Sequence, residues 1–324
     1  MSKGKKFACL AIHAYPVGEL PLTPLDIGHG FSVSGSASGV DPKGWTEALG
    51  TFQIEEIQRA NLWVWIEMES DQAEILDSEN EQLKARLEMF WWGLMLQEPP
   101  RIFSARAFSG QVLESGYDLR SFTRFDDVFS QGLLRTKITL DLLQGAAATA
   151  SAYEVIMEGA GLTGRIHQGF AAFADGVKSR CVDSAHLCFQ RALEGIFHPK
   201  NKDQFVKRGA RVFLDLSRDD NNAADVLTAI YDMRSGFTHC ETLATIFPDL
   251  EQSEAEKTGI SLKHAAYTLA ARAYRAVIRD AELARRFGQE GQGEFWGKVT
   301  DGRRTPPFVI KLHPEDWLIE EKDA

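Results

Sequence analysis

The chain has few of the features that identify several common protein classes. Its 324 residues include four cysteines, Cys9, Cys181, Cys188 and Cys240, and no two of them have Cys-x-x-Cys spacing. That is too few for a disulfide scaffold in a chain of this length, so free thiols in a reducing cytoplasm are expected. Cys181, His186 and Cys188 lie close in sequence but lack the spacing of a zinc site. The expectation is therefore that the protein uses no metal and no other cofactor.

Long apolar runs and an excess of positive charge are also missing. Met89–Leu96 is only about half as long as a membrane span. Phe7–Ile12 follows several lysines, as the apolar part of a signal peptide would. It is too short for that role, and His13 and Pro16 interrupt the apolar run. The segment therefore predicts a first strand. The formal net charge of −10 argues against a surface coated with nucleic acid and leaves room for a local basic groove.

The sequence also lacks three widespread catalytic motifs. It contains no His-Glu-x-x-His, no Gly-x-Ser-x-Gly and no Gly-x4-Gly-Lys segment. The usual signatures of zinc peptidases, α/β-hydrolases and P-loop nucleotide hydrolases are therefore absent. The apolar fraction of 44% and the charged fraction of 25% are nevertheless ordinary for a globular protein. A chain of this length is long enough to form two domains.

The first 145 residues predict a mixed α+β domain, to which no role is assigned. Residues 14–50 are rich in Gly, Pro and Ser and predict loops with short extended pieces. A helix is expected from Glu79 to about Leu96, with Ser78 as its N-cap and Pro99-Pro100 after it. β-branched and aromatic residues predict further strands at Leu62–Ile66, Ile102–Phe108 and Thr136–Leu143.

Residues 146–290 predict an all-α, up-and-down helical bundle, so the fold class as a whole is α+β. The expected helices run from about Arg165 to Phe197, from about Asp203 to Leu216, through Val226 to the Ser235-Gly236 pair, and from about Ile260 to Phe287. Asp280 falls on the apolar face of the last of these, so a cationic partner is expected for it. Residues 291–324 predict an extended arm or strand, with a return to the first domain as one option.

Arg234 and His239 lie five positions apart at the end of an apolar helical run. Arg234 carries a permanent, planar cation that suits phosphate oxygens. His239 is the type of side chain that donates and accepts protons near neutral pH. These two groups are the minimum needed to cleave an RNA backbone without a metal, because the ribose 2′-OH attacks its own 3′-phosphate.

Three segments in order resemble a known family. Phe189–Phe197, Lys207–Arg211 and Tyr231–Ser235 with His239 resemble the motifs of the Apea-like branch of the HEPN superfamily. The resemblance covers about residues 165–285 and implies a helical bundle that dimerises, with the Arg and His of both copies facing a shared groove. Many HEPN proteins are metal-independent ribonucleases, often toxins or defence effectors, and others only bind or scaffold. His239 is followed by Cys240, where the family usually has glycine, which permits backbone conformations that other residues resist.

The predicted site combines residues of these segments with arginines of the last predicted helix. Five positions on an ideal helix rotate a side chain by about 140°, so Arg234 and His239 converge only if the chain bends near Gly236 or if two copies meet. Without catalysis, the same two residues would form a polar clasp between helices. The predicted catalytic residues are Arg234 and His239, the supporting residues are Ser235, Glu194 and Tyr231, and the predicted RNA-binding residues are Arg272, Arg275 and Arg279. Glu194 is expected to brace Arg234. If Arg272, Arg275 and Arg279 do not bind RNA, this stripe of arginines is simply a solvated helix face.

The resulting functional hypothesis is a cytoplasmic, homodimeric, metal-independent endoribonuclease of HEPN type. RNA is its expected partner, together with an antitoxin or regulatory partner if it acts as a toxin or phage-defence effector. The alternative is a non-catalytic HEPN module that binds RNA, a nucleotide or a protein. Cleavage that resists chelators and is lost on replacing His239 or Arg234 would separate the two.

Overall fold

A computed structural model describes residues 4–37, 45–97, 101–114, 116–125, 137–158, 162, 164–215, 223–288, 292–302, 305–306 and 308–312. The described residues form two compact units, the first up to Glu154 and the second from Val155. The first contains an antiparallel sheet with helices, and the second is almost entirely helical. The predicted α+β class is confirmed.

The first unit is built on a six-stranded antiparallel sheet with the order β2-β3-β4-β1-β5-β6. Its strands are β1 (Gly4–Ala14), β2 (Leu25–Gly28), β3 (Phe31–Ser34), β4 (Leu62–Ser70), β5 (Ile102–Leu113) and β6 (Gly116–Arg124). The predicted first strand is the centre of the sheet, and Phe7–Ile12 is buried on both faces. A continuous apolar run, rather than an alternating one, is what a strand covered on both sides requires.

The two faces of the sheet are covered by different helices. Successive residues of β1 point to opposite faces. Phe7, Cys9 and Ala11 join the stacked rings of Trp63 and Trp65 in a cluster covered by α1 (Thr46–Leu49) and α2 (Thr51–Gln58). On the other face, Phe31 packs against Phe90 of α3 (Ser78–Met95), with ring centroids 5.1 Å apart.

The helix α3 begins and ends within one residue of its predicted limits. Its N-cap is Asp77 rather than Ser78, because the Asp77 carboxylate accepts a hydrogen bond from the backbone N–H of Glu79 at 2.8 Å. Asp77 and Glu79 also pair with the buried ammonium of Lys6 on β1, at 2.6 and 2.9 Å. A local cap and a distant lysine therefore fix the same helix end to the sheet.

The strand predicted at Thr136–Leu143 was wrong, because the chain is helical from Leu140. This helix, α4 (Leu140–Glu158), follows a single bridge between Ile138 and Val17, and Thr136 lies outside the described residues. A Cβ on Gly93 of α3 would lie 2.4 Å from the carbonyl oxygen of Ala146, so the two helices touch closely. This packing explains why the first unit extends to Glu154, nine residues beyond the expected boundary at 145.

The second unit contains eight helices and two short strands among its described residues. Its elements are α5 (Gly164–Lys178), α6 (Val182–Phe197), α7 (Lys202–Val212), β7 (Phe213–Asp215), α8 (Ala223–Thr238), α9 (Leu243–Ile246), α10 (Gln252–Ile278), α11 (Ala281–Gly288), α12 (Gln292–Thr300) and β8 (Ile310–Leu312). Its core is aromatic and includes Phe173, Phe189, Tyr267 and Tyr274.

The long helix predicted over Arg165–Phe197 is instead two helices that pack against each other. α5 ends at Lys178 and α6 begins at Val182. A Cβ on Gly195 would lie 2.9 Å from the Cα of Gly169, so the two backbones nearly touch there. Helical periodicity continues through the break, and folding back allows both apolar faces to be buried together.

The last predicted helix also divides. α10 begins at Gln252, before the predicted start near Ile260, and ends at Ile278. Asp280 was expected on an apolar face beside a cation, and that expectation was wrong. Its side chain is exposed and accepts a hydrogen bond from the backbone N–H of Leu283 at 3.0 Å, so it caps α11.

The predicted C-terminal arm contains a helix and a strand that both belong to the second unit. Gln292–Thr300 forms α12, which the prediction missed. β8 pairs in parallel with β7, Phe213 opposite Ile310, and so stays within the second unit rather than returning to the first. Residues 313–324 of the predicted arm lie outside the described residues.

Candidate functional site

The C-terminal end of α8 has a well-defined backbone geometry. The N–H of Cys240 donates to the carbonyl of Phe237, and the N–H of Glu241 donates to the carbonyl of Gly236, each at 3.0 Å. Cys240 has a left-handed conformation with φ of 60°. These are the two hydrogen bonds and the left-handed residue of a Schellman motif, in which glycine is the usual choice. The turn that glycine would favour therefore forms with cysteine in its place.

Arg234, Ser235 and Tyr231 lie one to two turns before His239 on the same helix. The imidazole of His239 is exposed, and Arg234 and Ser235 are half-buried. The guanidinium of Arg234 lies 5.9 Å from the ring centroid of Tyr231, whose ring packs in turn against Phe205. Apart from that ring, no partner in the described part of the chain holds the Arg234 guanidinium. The arginine is therefore supported by aromatic packing and keeps its donors available.

Within one chain, Arg234 and His239 do not share a face. α8 continues without interruption to Thr238, whose hydroxyl donates to the Arg234 carbonyl at 2.9 Å. The proposed bend at Gly236 does not form. Gly236 is instead a contact point, since a Cβ there would lie 2.4 Å from Ile246 of α9. Five positions along an intact helix turn a side chain by about 140°, so a shared site requires a second copy.

Glu194 lies elsewhere, and the structure does not connect it to Arg234. Its carboxylate accepts a hydrogen bond from Nε2 of Gln190, one turn earlier on α6, at 3.0 Å. It lines a groove of about 540 Å³ between α5 and α6, beside Arg165 and Arg191. Among the described residues no hydrogen bond or ion pair joins Glu194 to Arg234, so the predicted brace does not form within one chain.

The three arginines predicted to bind RNA differ in how far they are exposed to solvent. Arg272 is half-buried and its Nη1 donates to the carbonyl of Lys311 in β8 at 3.4 Å. Arg275 is half-buried as well, and Arg279 is exposed just beyond the end of α10. One arginine of the stripe therefore supports the C-terminal strand.

Sequence reasoning missed a cluster of donors at the C-terminal end of α6. The Nε2 of Gln292 donates to the carbonyls of Gly195 and Ile196 at 3.0 and 2.6 Å, and the Nε1 of Trp296 donates to Ile196 at 2.8 Å. Arg208 donates from α7 to the carbonyl of Phe197 at 2.8 Å and also to that of His198. Helix ends leave such carbonyls without partners. Because Trp296 lies 100 positions from Ile196, nothing local in the sequence indicates this cap.

His186 is a buried structural residue. Its Nε2 lies 2.8 Å from the carbonyl oxygen of Ile230, and because that oxygen only accepts, Nε2 carries the hydrogen. Burial lowers the pKa of His186 from 6.5 to about 4. Cys181 is exposed, and no group of three or more His, Cys, Asp or Glu side chains among the described residues is arranged to hold a metal.

The left-handed cysteine supports a direct prediction. Replacing Cys240 with glycine removes a steric cost of about 1–2 kcal/mol and adds some freedom to the unfolded chain, so a net gain of about 1 kcal/mol in the free energy of unfolding is expected. Urea unfolding of the helical unit measures it. Cys240→Ala is the matched control, since it removes the thiol and keeps the Cβ. Equal stability of the glycine and alanine variants would contradict the assigned strain.

No protein-family model, no curated protein and no solved structure matches this chain. The resemblance to HEPN proteins therefore stays a prediction from three short sequence segments. None of the helices in the described ranges is both long and apolar enough to cross a membrane.

Proposed function

We propose that the protein is a metal-independent endoribonuclease that works as a homodimer, with His239 of one copy and Arg234 of the other at each site. The observation that supports it best is the exposed imidazole at the end of α8, held by a Schellman motif, with a half-buried arginine one turn earlier. Because the two side chains diverge on one helix, two helix ends facing each other across a twofold axis are the arrangement that joins them.

The chemistry at such a site is transesterification within the RNA. The 2′-oxygen forms a bond to phosphorus and the bond from phosphorus to the 5′-oxygen breaks, which leaves a 2′,3′-cyclic phosphate and a 5′-hydroxyl. A base takes the 2′-OH proton and an acid protonates the leaving 5′-oxygen; His239 serves one of these roles and water the other. Arg234 stabilises the charge that grows on the phosphoryl oxygens, and Ser235 adds a hydrogen bond.

The test is cleavage of RNA in the presence of excess EDTA, with the termini identified by mass spectrometry. We expect 2′,3′-cyclic phosphate ends, and we expect no cleavage of the same sequence when it is made as DNA or with 2′-O-methyl groups, because both lack the attacking hydroxyl. Cleavage of the 2′-O-methyl strand, or 5′-phosphate products, would rule out this mechanism.

A second candidate function is RNA, nucleotide or protein binding without turnover. The divergence of Arg234 and His239 on an intact helix favours it, because a single chain lacks a complete site. RNA binding that is retained while no RNA tried is cut would support this candidate. In either case the resemblance supports a role in toxin or phage-defence systems, with an antitoxin or regulatory protein as partner.

A further inference from the structure

The groove between α5 and α6 has a floor of backbone and small side chains. It measures about 540 Å³, and its floor includes Gly169, Ala172 and Gly195. A Cβ on Gly169 would lie 3.0 Å from the Cα of Gly195 and 2.2 Å from the hydroxyl of Tyr274, so neither glycine has room for a side chain. The close approach of the two helices therefore leaves backbone and small side chains at the floor of the groove.

Two guanidiniums border this floor. Arg165 lies level with Gly195, since a Cβ there would be 2.8 Å from the Arg165 carbonyl oxygen. Arg191 precedes Gly195 by four residues, which is about 6 Å along the helix axis. Both side chains are exposed, and neither guanidinium has a hydrogen-bond or ion-pair partner within the described ranges. Two unpaired arginines about one turn apart suit a phosphate group.

The same groove is lined by a hydrogen-bond acceptor, the carboxylate of Glu194. Glu194 receives a hydrogen bond at 3.0 Å from Gln190, whose side chain is fully buried, so the amide that holds the carboxylate is itself fixed by packing. An ionised carboxylate only accepts hydrogen bonds, and it is complementary to hydroxyl and amino groups. Asp175 adds a second carboxylate at the groove. The groove therefore fits a ligand that has both an anionic group and hydrogen-bond donors.

We infer that this groove binds a nucleoside phosphate, either as a free nucleotide or as one unit of an RNA strand. Arg165 and Arg191 hold the phosphate, Glu194 accepts hydrogen bonds from ribose hydroxyls or a base amino group, and the base or sugar lies on the Gly169–Gly195 floor. The volume lies within the range of about 300–1,000 Å³ that is usual for small-molecule sites. This site is separate from the end of α8 and does not depend on RNA cleavage.

Isothermal titration calorimetry of the full chain tests the inference, with AMP, inorganic phosphate and a five-nucleotide RNA as probes. AMP is expected to bind more tightly than phosphate. Arg165→Gln and Arg191→Gln are each expected to weaken AMP binding about 10- to 100-fold, as for the loss of a charge-assisted hydrogen bond. Glu194→Gln is expected to weaken AMP and leave phosphate unchanged. Tighter binding of the five-nucleotide RNA than of AMP assigns the groove to an RNA strand, and the reverse assigns it to a free nucleotide.

Two further variants keep the result interpretable. Ala171→Trp fills the groove from an exposed position without changing charge, and it is expected to abolish binding. Lys207→Gln removes an exposed cation that pairs with Asp203 outside the groove, and it is expected to change nothing. AMP binding that survives Arg165→Gln, Arg191→Gln and Ala171→Trp, or phosphate binding as tight as that of AMP, or no binding at all, overturns the inference. Lys207 also lies outside the end of α8, so Lys207→Gln serves as the unchanged control for this groove without touching the proposed cleavage site.

Discussion

Equal mixing of Arg234→Ala chains with His239→Ala chains is expected to restore RNA cleavage that neither variant has alone. His239→Ala by itself should lose about 10²–10⁴-fold in rate, the usual contribution of a positioned acid–base group. Arg234→Ala should lose about 10²–10³-fold, the usual contribution of a donor that stabilises transition-state charge. In a twofold dimer with composite sites, a mixed dimer holds one intact site and one doubly damaged site. Because half of the randomly exchanged dimers are mixed, roughly a quarter of the wild-type activity should return.

The measurement is the initial rate of cleavage after the two variants have been unfolded together and refolded, with subunit exchange confirmed by mass spectrometry. Asp225→Asn is the matched control, since Asp225 is exposed on the first turn of the same helix. It should leave the rate unchanged. If exchange is complete and no activity returns, while the wild-type chain is active, the site lies within one chain and the dimer proposal is wrong.

Acid is expected to destabilise the helical unit through His186. Its folded pKa of about 4 lies below the ordinary value of 6.5, so the unfolded chain binds the proton first as the pH falls. The stabilisation is therefore complete above pH 6.5 and is lost as the pH falls to about 4. The expected loss is about 3 kcal/mol across this window and about 2 kcal/mol at pH 5.

Urea unfolding of the helical unit between pH 4 and 7.5 measures this loss. His186→Gln should unfold more easily at pH 7 and show a flatter dependence on pH, because glutamine does not titrate and its amide N–H remains able to donate to Ile230. His167→Gln removes a histidine that is exposed on α5, and it should leave the slope unchanged. Equal slopes for the wild-type and His186→Gln proteins would contradict the assignment.

The features that were predicted correctly are those whose cause is local. Phe7–Ile12 is apolar at every position, and such a run is typical of a strand buried on both faces. The helix from Ser78 to Met95 has a polar N-cap and a double proline close behind it. The position of Arg234 and His239 at the end of a helix is also indicated by the sequence, since the apolar periodicity ends there.

The features that were missed depend on residues far apart in the chain. Nothing near Glu194 indicates that it would accept from Gln190 and border a groove with Arg165 rather than meet Arg234. Periodicity does not reveal a break at Ser179–Cys181, because both helices keep the same apolar spacing and fold back to bury it.

The sequence by itself determined the α+β class, the central strand, the main helical segments and the placement of an arginine and a histidine near one helix end, because propensity, periodicity and capping act over a few residues. Only the tertiary structure decided that α5 and α6 form a hairpin, that α12 caps α6 and that His186 is sealed from water. These depend on packing between segments up to 100 positions apart, where burial and unpaired backbone carbonyls, rather than local preference, select the arrangement.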